Sequence, residues 1–388
     1  MEEVDKNTDE FRLFLKYSKE IGMDPSMVQA AGGNTSLKQG NTMWVKASGK
    51  WLLDAQSNEL MVPMSISKIK EALENKRCSD TDISNCINLE ISPVGLRPSV
   101  EAPMHAVLDF KFVFHTHDIN INALAVQKNS KLKFENVLSG LNWKFIPYIK
   151  PGIELCRELM RQKTKNDNVF ILENHGLIVC GQSLEEVKKL NHEVRFRLKK
   201  LQGKILNGIN QEIEEEVDIK NTGYKYCRDN FINNIAFQKP WIDKISKGVF
   251  LPDFLVFLGP KISILNPKDE GLQDRLKKLS QTPLPFNSCI ILAKNGVLIR
   301  DDALKGTLEI IRCAYDLLCL IPDSADLKYL NEDEIKDLLN WEAEHYRQQQ
   351  NLSLIHISEP TRRRGIAYAG LWVKKKKGGG GGGGGGGG

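Results

Sequence analysis

Three histidines have the residue type and spacing that could bind a divalent metal. His115 and His117 flank Thr116 in an apolar segment that is predicted to be a strand. Side chains at positions i and i+2 of a strand project from one face, so both imidazoles can share a metal ion. His175 lies between two apolar strands in a predicted tight turn. It can complete three protein ligands and leave one coordination position open, as in catalytic zinc sites.

The alternative is that the two closely spaced histidines are unrelated, because so short a motif is weak by itself. The full set of seven histidines argues for a site. We interpret His105 as a buried helix residue and His192 as a surface residue, while His345 and His356 lie in the C-terminal region. The metal site is therefore predicted in the N-terminal half.

The elements that must position these residues alternate between short strands and helices, without the strict order of a parallel doubly wound sheet. Apolar periodicity predicts helices at 8–22, 65–74, 98–108 and 183–201, and strands at 43–46, 111–117, 169–172 and 177–180. Ser183 and Glu186 form a capping-box pattern at the start of the last helix. A Gly-rich turn is predicted at 30–37. This pattern predicts an α/β fold.

The second half of the chain contains an echo of the first. Residues 171–178 align with 291–298, and in each case strand, turn and strand precede an amphipathic helix, at 184–201 and 304–320. Residues 112–115 are matched with 255–258. No histidine occurs between His192 and His345, so the second half cannot build the same site. We interpret it as a degenerate copy that supports or shields the first, or that assembles subunits.

The C-terminal tail, residues 352–388, has a composition unlike the rest of the chain. It ends in four lysines and an unbroken glycine run, and its first part resembles the conceptual translation of a sequencing adapter. Without the seven basic residues and one acidic residue of this tail, the net charge falls from +5 to −1. Charge therefore indicates neither a nucleic-acid nor a membrane partner.

The remaining chain is long enough for two domains. Its eight cysteines are scattered without a CxxC pair and several lie in apolar segments, which indicates buried thiols and a reducing compartment. No apolar run reaches the roughly 18 residues that a membrane helix needs. The N-terminus is charged and lacks an apolar signal core. We therefore expect a cytoplasmic protein.

Five short motifs occur in an order that points to a known family. They are Gly33-Asn34-Thr35-Ser36, Ala47-Ser48-Gly49, Ser99-Val100-Glu101 with Met104-His105, His115-Thr116-His117 and Asn174-His175-Gly176. Together they resemble the class II aldolase/adducin family, typified by fuculose- and rhamnulose-1-phosphate aldolases, over residues 8–203. The resemblance implies a three-layer α/β/α domain with a mostly antiparallel central sheet. It also implies zinc, or another divalent metal, on the three histidines, and a homo-oligomer.

In this family a carboxylate beside the metal moves protons, and Glu101 matches that acid/base. The alternative for Glu101 is an acid favoured by the N-terminus of a helix. The donors that suit a substrate phosphate are Gly33, Asn34, Thr35, Ser48, Gly49 and Ser99; the alternative is ordinary turn chemistry.

The short aldolases carry Ser-Ser-Glu where this chain has Ser99-Val100-Glu101. The side chain of Val100 cannot donate a hydrogen bond, so one phosphate contact is missing. Our hypothesis is that Arg97 compensates for it.

We therefore expect four regions: an aldolase-like metal-binding domain at 1–203, a linker at 204–248, a degenerate aldolase-like repeat at 249–351 and the tail at 352–388. The expected function is that of a zinc-dependent aldehyde-lyase, which cleaves a sugar phosphate or related hydroxy-ketone through a metal-stabilised enediolate. The alternatives are a sugar-phosphate epimerase or dehydratase on the same scaffold, or an adducin-like protein without catalysis. The expected partner is a small-molecule sugar phosphate or hydroxy-ketone.

Overall fold

The computed structural model describes residues 6, 8–57, 59–92, 95–199, 213, 216–342 and 346. These all belong to the first of two units, 1–355, into which the chain divides. The tail at 352–388 and most of the first part of the predicted linker lie outside the described residues.

A seven-stranded sheet is the centre of the first part of the chain. Its strands are β1 (Asn34–Gln39), β2 (Thr42–Lys46), β3 (Met61–Ser65), β4 (Phe112–Thr116), β5 (Trp143–Ile146), β6 (Val169–Leu172) and β7 (Gly176–Gly181). Their spatial order is β3-β2-β1-β4-β7-β6-β5, and only β5 and β6 pair in parallel. The mostly antiparallel central sheet is therefore confirmed.

Helices cover both faces of this sheet. They are α1 (Asp9–Met23), α2 (Ile66–Glu74), α3 (Asp80–Ser84), α4 (Ala102–Val107), α5 (Ile119–Ala125), α6 (Ser130–Val137), α7 (Ile153–Gln162) and α8 (Leu184–Lys199), with a 3₁₀ turn at Leu52–Asp54. One apolar core joins α1, α5, α6 and α8 to one face, and a second joins α2, α3, α4 and α7 to the other. The expected three-layer α/β/α arrangement is present.

Alternation along β4 decides which layer its side chains enter. Phe112 and Phe114 pack into the core beneath α1, whereas Val113 packs into the core beneath α4. Because successive strand side chains point to opposite faces, His115 shares the face of Val113 and is directed towards α4. Strand alternation together with the position of α4 thus places this imidazole beside the segment that carries Glu101.

The predicted turn at 30–37 is shorter in the structure. It ends at Gly33, which has a φ of +60° that favours glycine. Strand β1 begins at the next residue, because the backbone from Asn34 onward pairs with β4. This earlier start fixes the alternation of side chains along β1.

A second, four-stranded sheet follows. Its strands are β8 (Tyr224–Tyr226), β9 (Ser263–Leu265), β10 (Cys289–Leu292) and β11 (Gly296–Arg300), in the order β8-β11-β10-β9. Its helices are α9 (Asn230–Asn233), α10 (Lys239–Lys247), α11 (Pro252–Leu258), α12 (Leu272–Ser280), α13 (Thr307–Leu320) and α14 (Glu332–Leu339), with a 3₁₀ turn at Asn234–Phe237.

Strand directions support the interpretation of this sheet as a copy. The pairs β8–β11 and β11–β10 are antiparallel and β10–β9 is parallel, as in β4–β7, β7–β6 and β6–β5. The aligned turns also match, because Asn174 has a φ of +54° and Lys294 a φ of +58°. The echo detected in the sequence therefore corresponds to the same strand arrangement.

One detail of that echo was wrong. Residues 255–258, matched with the strand at 112–115, lie in helix α11, and the strand equivalent to β4 is β8. A short, continuously apolar run cannot be assigned to strand or helix by periodicity alone. The region predicted as a linker at 204–248 contains β8, which pairs with β11, and α10, whose Trp241 is buried in the core that also contains residues of β10 and β11. The boundaries of the linker stay a prediction.

None of the helices within the described ranges is both long and apolar enough to cross a bilayer.

Candidate metal centre

The structure brings the three predicted ligands together. His115 lies in β4, His117 lies just after its end, and His175 lies in the turn between β6 and β7. All three residues are buried. One ligand nitrogen from each lies within 4.8 Å of the others, and the Nε2 atoms of His115 and His117 are 3.2 Å apart. The three imidazoles therefore converge on one point.

The other ring nitrogen orients two of these imidazoles. Nδ1 of His115 lies 3.0 Å from the carbonyl oxygen of Leu177, and Nδ1 of His117 lies 2.7 Å from Oδ2 of Asp253. Both partners are acceptors, so each Nδ1 carries the proton and donates it. Each Nε2 then keeps its lone pair towards the centre, which is the tautomer that a metal ligand needs.

Burial also sets the charge of two of the imidazoles, those of His115 and His175. It lowers the pKa of His115 to about 4 and the pKa of His175 to about 3, despite the opposing effect of Glu101. Because desolvation disfavours the imidazolium form, both rings are neutral at pH 7. A neutral ring is the form that binds a cation.

Glu101 lies immediately before α4 and points at the same centre. Its Oε1 is 3.3 Å from Nε2 of His175, and its Oε2 is 3.5 Å from Nε2 of His115. Burial raises the pKa of the Glu101 carboxyl, but the three imidazoles and the Asn34 amide outweigh this effect and lower it to about 2. Oε1 has no hydrogen-bond partner among the described residues. An anionic oxygen thus faces the imidazole nitrogens.

This donor set fits a divalent cation. Three imidazole nitrogens are ligands that zinc accepts, and the negative charge of the Glu101 carboxylate beside them favours a cation at this point. A bound cation would also offset the unfavourable free energy of burying the Glu101 carboxylate.

The predicted phosphate-binding residues separate into two groups. Gly33, Asn34, Ser48, Gly49 and Ser99 line the same cavity as Glu101, His117 and His175. Thr35 does not.

Thr35 faces the opposite side of the sheet, where its hydroxyl lies 2.8 Å from that of Ser18 in α1. The assignment of Thr35 was wrong because adjacent strand residues point to opposite faces.

Asn34 mainly holds Glu101. Its Nδ2 donates to Oε2 of Glu101 at 2.7 Å and to Oγ of Ser99 at 3.2 Å, and its Oδ1 contacts His105. His105 is buried in α4 and in turn contacts the hydroxyl of Ser36 at 2.8 Å. The amide of Asn34 is thus committed to the carboxylate and is a poor donor for a phosphate.

The hypothesis for Arg97 has no support in the structure. Its guanidinium stacks on the ring of Tyr346 at 4.4 Å, and Arg97 is not among the residues that line the cavity. Lys46, which the sequence did not single out, does line it. The Lys46 ammonium is buried and donates to the carbonyl oxygens of Ala31 and Lys50 at 2.7 and 2.8 Å.

Sequence reasoning also missed the contribution of the second half of the chain. Leu251, Pro252, Asp253 and Phe254 close one side of the cavity. No local motif marks this segment, because its role depends on contacts with residues distant in sequence, such as that of Asp253 with His117.

The second sheet shows what replaces the histidines. Tyr226 pairs with Leu298 in the register in which His115 pairs with Ile178, and Asn295 aligns with His175. The Tyr226 hydroxyl donates to Oδ1 of Asn295 at 2.6 Å. Tyr226 and Asn295 thus form a hydrogen bond between neutral side chains at the two positions where the first sheet has His115 and His175.

Comparison with known proteins agrees with this geometry. The family model described as the class II aldolase and adducin N-terminal domain matches residues 13–200. The chain is 28% identical over 183 residues to the uncharacterized oxidoreductase YuxG of Bacillus subtilis, covering 43% of this chain. It spans only 26% of the length of that relative.

Two shorter relatives have named activities. The chain is 26% identical over 185 residues to an L-fuculose phosphate aldolase of Methanococcus vannielii, covering 44% of this chain and 90% of the relative. It is 29% identical over 106 residues to a 3-oxo-tetronate 4-phosphate decarboxylase of Escherichia coli K12, covering 24% and 49%.

A solved structure of the N-terminal class II aldolase domain of a conserved protein from Thermoplasma acidophilum is also similar. It has 24% sequence identity and a TM-score of 0.45, over 52% of this chain and 97% of that one.

Proposed function

This chain belongs to the class II aldolase and adducin family through residues 13–200, and on that premise we propose that it is a metal-dependent aldehyde-lyase. Its substrate is a sugar phosphate or a related hydroxy-ketone, which it cleaves into an enediolate half and an aldehyde. The observation that carries the proposal is the convergence of the three imidazoles and the Glu101 carboxylate on one point, beside a cavity that Glu101, His117 and His175 line.

Each residue of the centre has its own role in the proposed reaction. His115, His117 and His175 would hold zinc or another divalent metal through Nε2. When bound, such a cation supplies Lewis-acid stabilisation of the negative charge on the enediolate oxygens. Glu101 takes up and returns a proton at Oε1, the carboxylate oxygen that lacks a hydrogen-bond partner in the described part of the chain. Asn34 holds the other oxygen and so fixes the direction of transfer.

We assign anion binding to other residues in the wall of the cavity. Gly33, Ser48, Gly49 and Ser99 offer backbone N–H and hydroxyl donors there. The buried ammonium of Lys46 adds a positive charge in the same wall. These groups suit a phosphate ester or a carboxylate.

Other reactions remain as alternatives on the same scaffold. Decarboxylation of a keto acid, which the name of the E. coli relative describes, also leaves charge on an enediolate. A sugar-phosphate epimerase or dehydratase would use the same ligands, and an adducin-like protein would need none. Product analysis separates these reactions, because a lyase releases an aldehyde, a decarboxylase releases carbon dioxide, a dehydratase releases water, and an epimerase releases no fragment.

The first test is metal content of the full-length protein by elemental analysis. We expect about one divalent ion per chain, lost when His115→Ala and His117→Ala are combined. His192→Ala is the matched control, because this histidine is exposed on α8. Ketose 1-phosphates are then screened for aldehyde release. Folded wild-type protein that binds no divalent metal would contradict the proposal.

Homo-oligomer formation and a cytoplasmic location remain predictions. Light scattering coupled to size-exclusion chromatography and cell fractionation would test them.

A further inference from the structure

The second half of the chain places a carboxylate against one of the three histidines. Asp253 is in the first turn of α11, and its Oδ2 lies 2.7 Å from Nδ1 of His117, 136 residues away in sequence. Both residues are buried. The contact therefore joins the degenerate repeat directly to the candidate metal centre.

The orientation of the His117 ring explains why this contact matters for metal binding. Its Nε2 faces the centre, 3.2 Å from Nε2 of His115, while its Nδ1 faces Asp253. In metal sites, the ring nitrogen opposite the metal commonly donates to a carboxylate, which fixes the tautomer and the ring orientation and makes the ligand more basic. Nδ1 of His115 donates instead to the carbonyl oxygen of Leu177, a neutral acceptor, and the hydrogen bond is therefore weaker than one to a carboxylate.

We propose that Asp253 is a positioning residue that holds His117 as a metal ligand, so that the metal site is incomplete without the second half of the chain. The inference rests on the proposed metal-dependent function. It assigns a role to a repeat that has lost its own histidines.

A second contact ties the repeat to the turn that carries His175. Nδ2 of Asn174 donates to the carbonyl oxygens of Phe250 and Lys328 at 2.8 and 2.7 Å. The Lys328 ammonium also pairs with Glu173 in the same turn at 2.6 Å. The repeat thus contacts the turn that contains His175, a second proposed metal ligand.

Gly32 shows how closely the two halves approach at this point. A Cβ added there would lie 2.8 Å from Nδ1 of His117 and 3.0 Å from Oδ2 of Asp253. Only glycine leaves room for the pair.

The experiment compares full-length wild-type protein with Asp253→Asn, which keeps the shape of the side chain and removes its charge. Metal-free samples are titrated with zinc in competition with a chromophoric chelator, and the visible spectrum of the cobalt form is recorded. We expect zinc affinity to fall about 10–100-fold and the cobalt bands to shift. Asp326→Asn, which removes an exposed acid from the same half, is the matched control and should bind zinc as wild type does.

Three outcomes are decisive. Weakened affinity in Asp253→Asn alone supports the inference. Equal affinity in wild type, Asp253→Asn and Asp326→Asn overturns it and leaves the metal-dependent function intact. Failure of wild type itself to bind zinc overturns both.

A measurement on wild-type protein covers the case in which Asp253→Asn does not fold. Nitrogen NMR of histidine-labelled, zinc-loaded protein reports which ring nitrogen is protonated. We expect the proton of His117 on Nδ1, and a proton on Nε2 would overturn the inference.

Discussion

Replacement of Glu101 by glutamine is the most direct test of the proposed chemistry. The amide oxygen of Gln can still accept from Nδ2 of Asn34, which lies 2.7 Å from Oε2 in wild type. Side-chain volume is also nearly unchanged. Glu101→Gln should therefore keep the local structure and lose only the negative charge and the capacity to take up a proton.

The size of the effect follows from that single loss. Removal of a general acid or base typically lowers the rate about 10²- to 10⁴-fold. This corresponds to about 3–5 kcal/mol of barrier. Because the lost interaction belongs to the transition state, kcat should fall while KM changes little.

The assay is the rate of aldehyde release from the ketose phosphate that the wild-type protein cleaves fastest. Zinc content is measured on the same sample, which separates loss of proton transfer from loss of metal. Glu135→Gln is the control, since it removes an exposed carboxylate from α6. A Glu101→Gln protein that is zinc-loaded and within about fivefold of the wild-type kcat would refute the assigned role.

Three further predictions concern packing and charge. Gly32→Ala should weaken zinc affinity in the chelator competition, because the added methyl would meet His117; unchanged affinity would contradict this. Burial lowers the pKa of Lys38 from 10.5 to about 8. The folded state therefore loses its proton first, and the free energy of unfolding of wild type relative to Lys38→Met should rise between pH 8 and 10.5. A flat difference in urea melts would argue against it. Arg195→Met should destabilise the protein by about 3–5 kcal/mol, because it leaves buried Asp118 without the guanidinium 2.7 Å away; a loss below 1 kcal/mol would disprove it.

The positions of the three histidines were predictable because their signals are local. Strand alternation places His115 and His117 on one face, and the apolar strands around His175 predict the turn that holds it. The capping box at Ser183 and Glu186 is also present, with the Glu186 amide donating to the Ser183 hydroxyl at 3.2 Å. Each of these depends only on residues close together in the chain.

The errors in the sequence-based predictions have two sources. One is the residue at which a strand starts, and the other is an apolar run that fits either a strand or a helix. The start of β1 at Asn34 sends Thr35 to the α1 side of the sheet, away from the cavity. The apolar run at 255–258 fits a buried strand or a buried helix equally well, and only its packing in α11 distinguishes them.

The sequence by itself determined the fold class, predicted that His115, His117 and His175 share a site with Glu101, and showed that the second half has no equivalent histidines. Periodicity and motif order carry that information without reference to distant segments. Only the tertiary structure decided that Asp253 supports His117 and that Asn174 is held by the repeat. Contacts between segments more than 70 residues apart depend on how two cores pack together, and no local pattern encodes them.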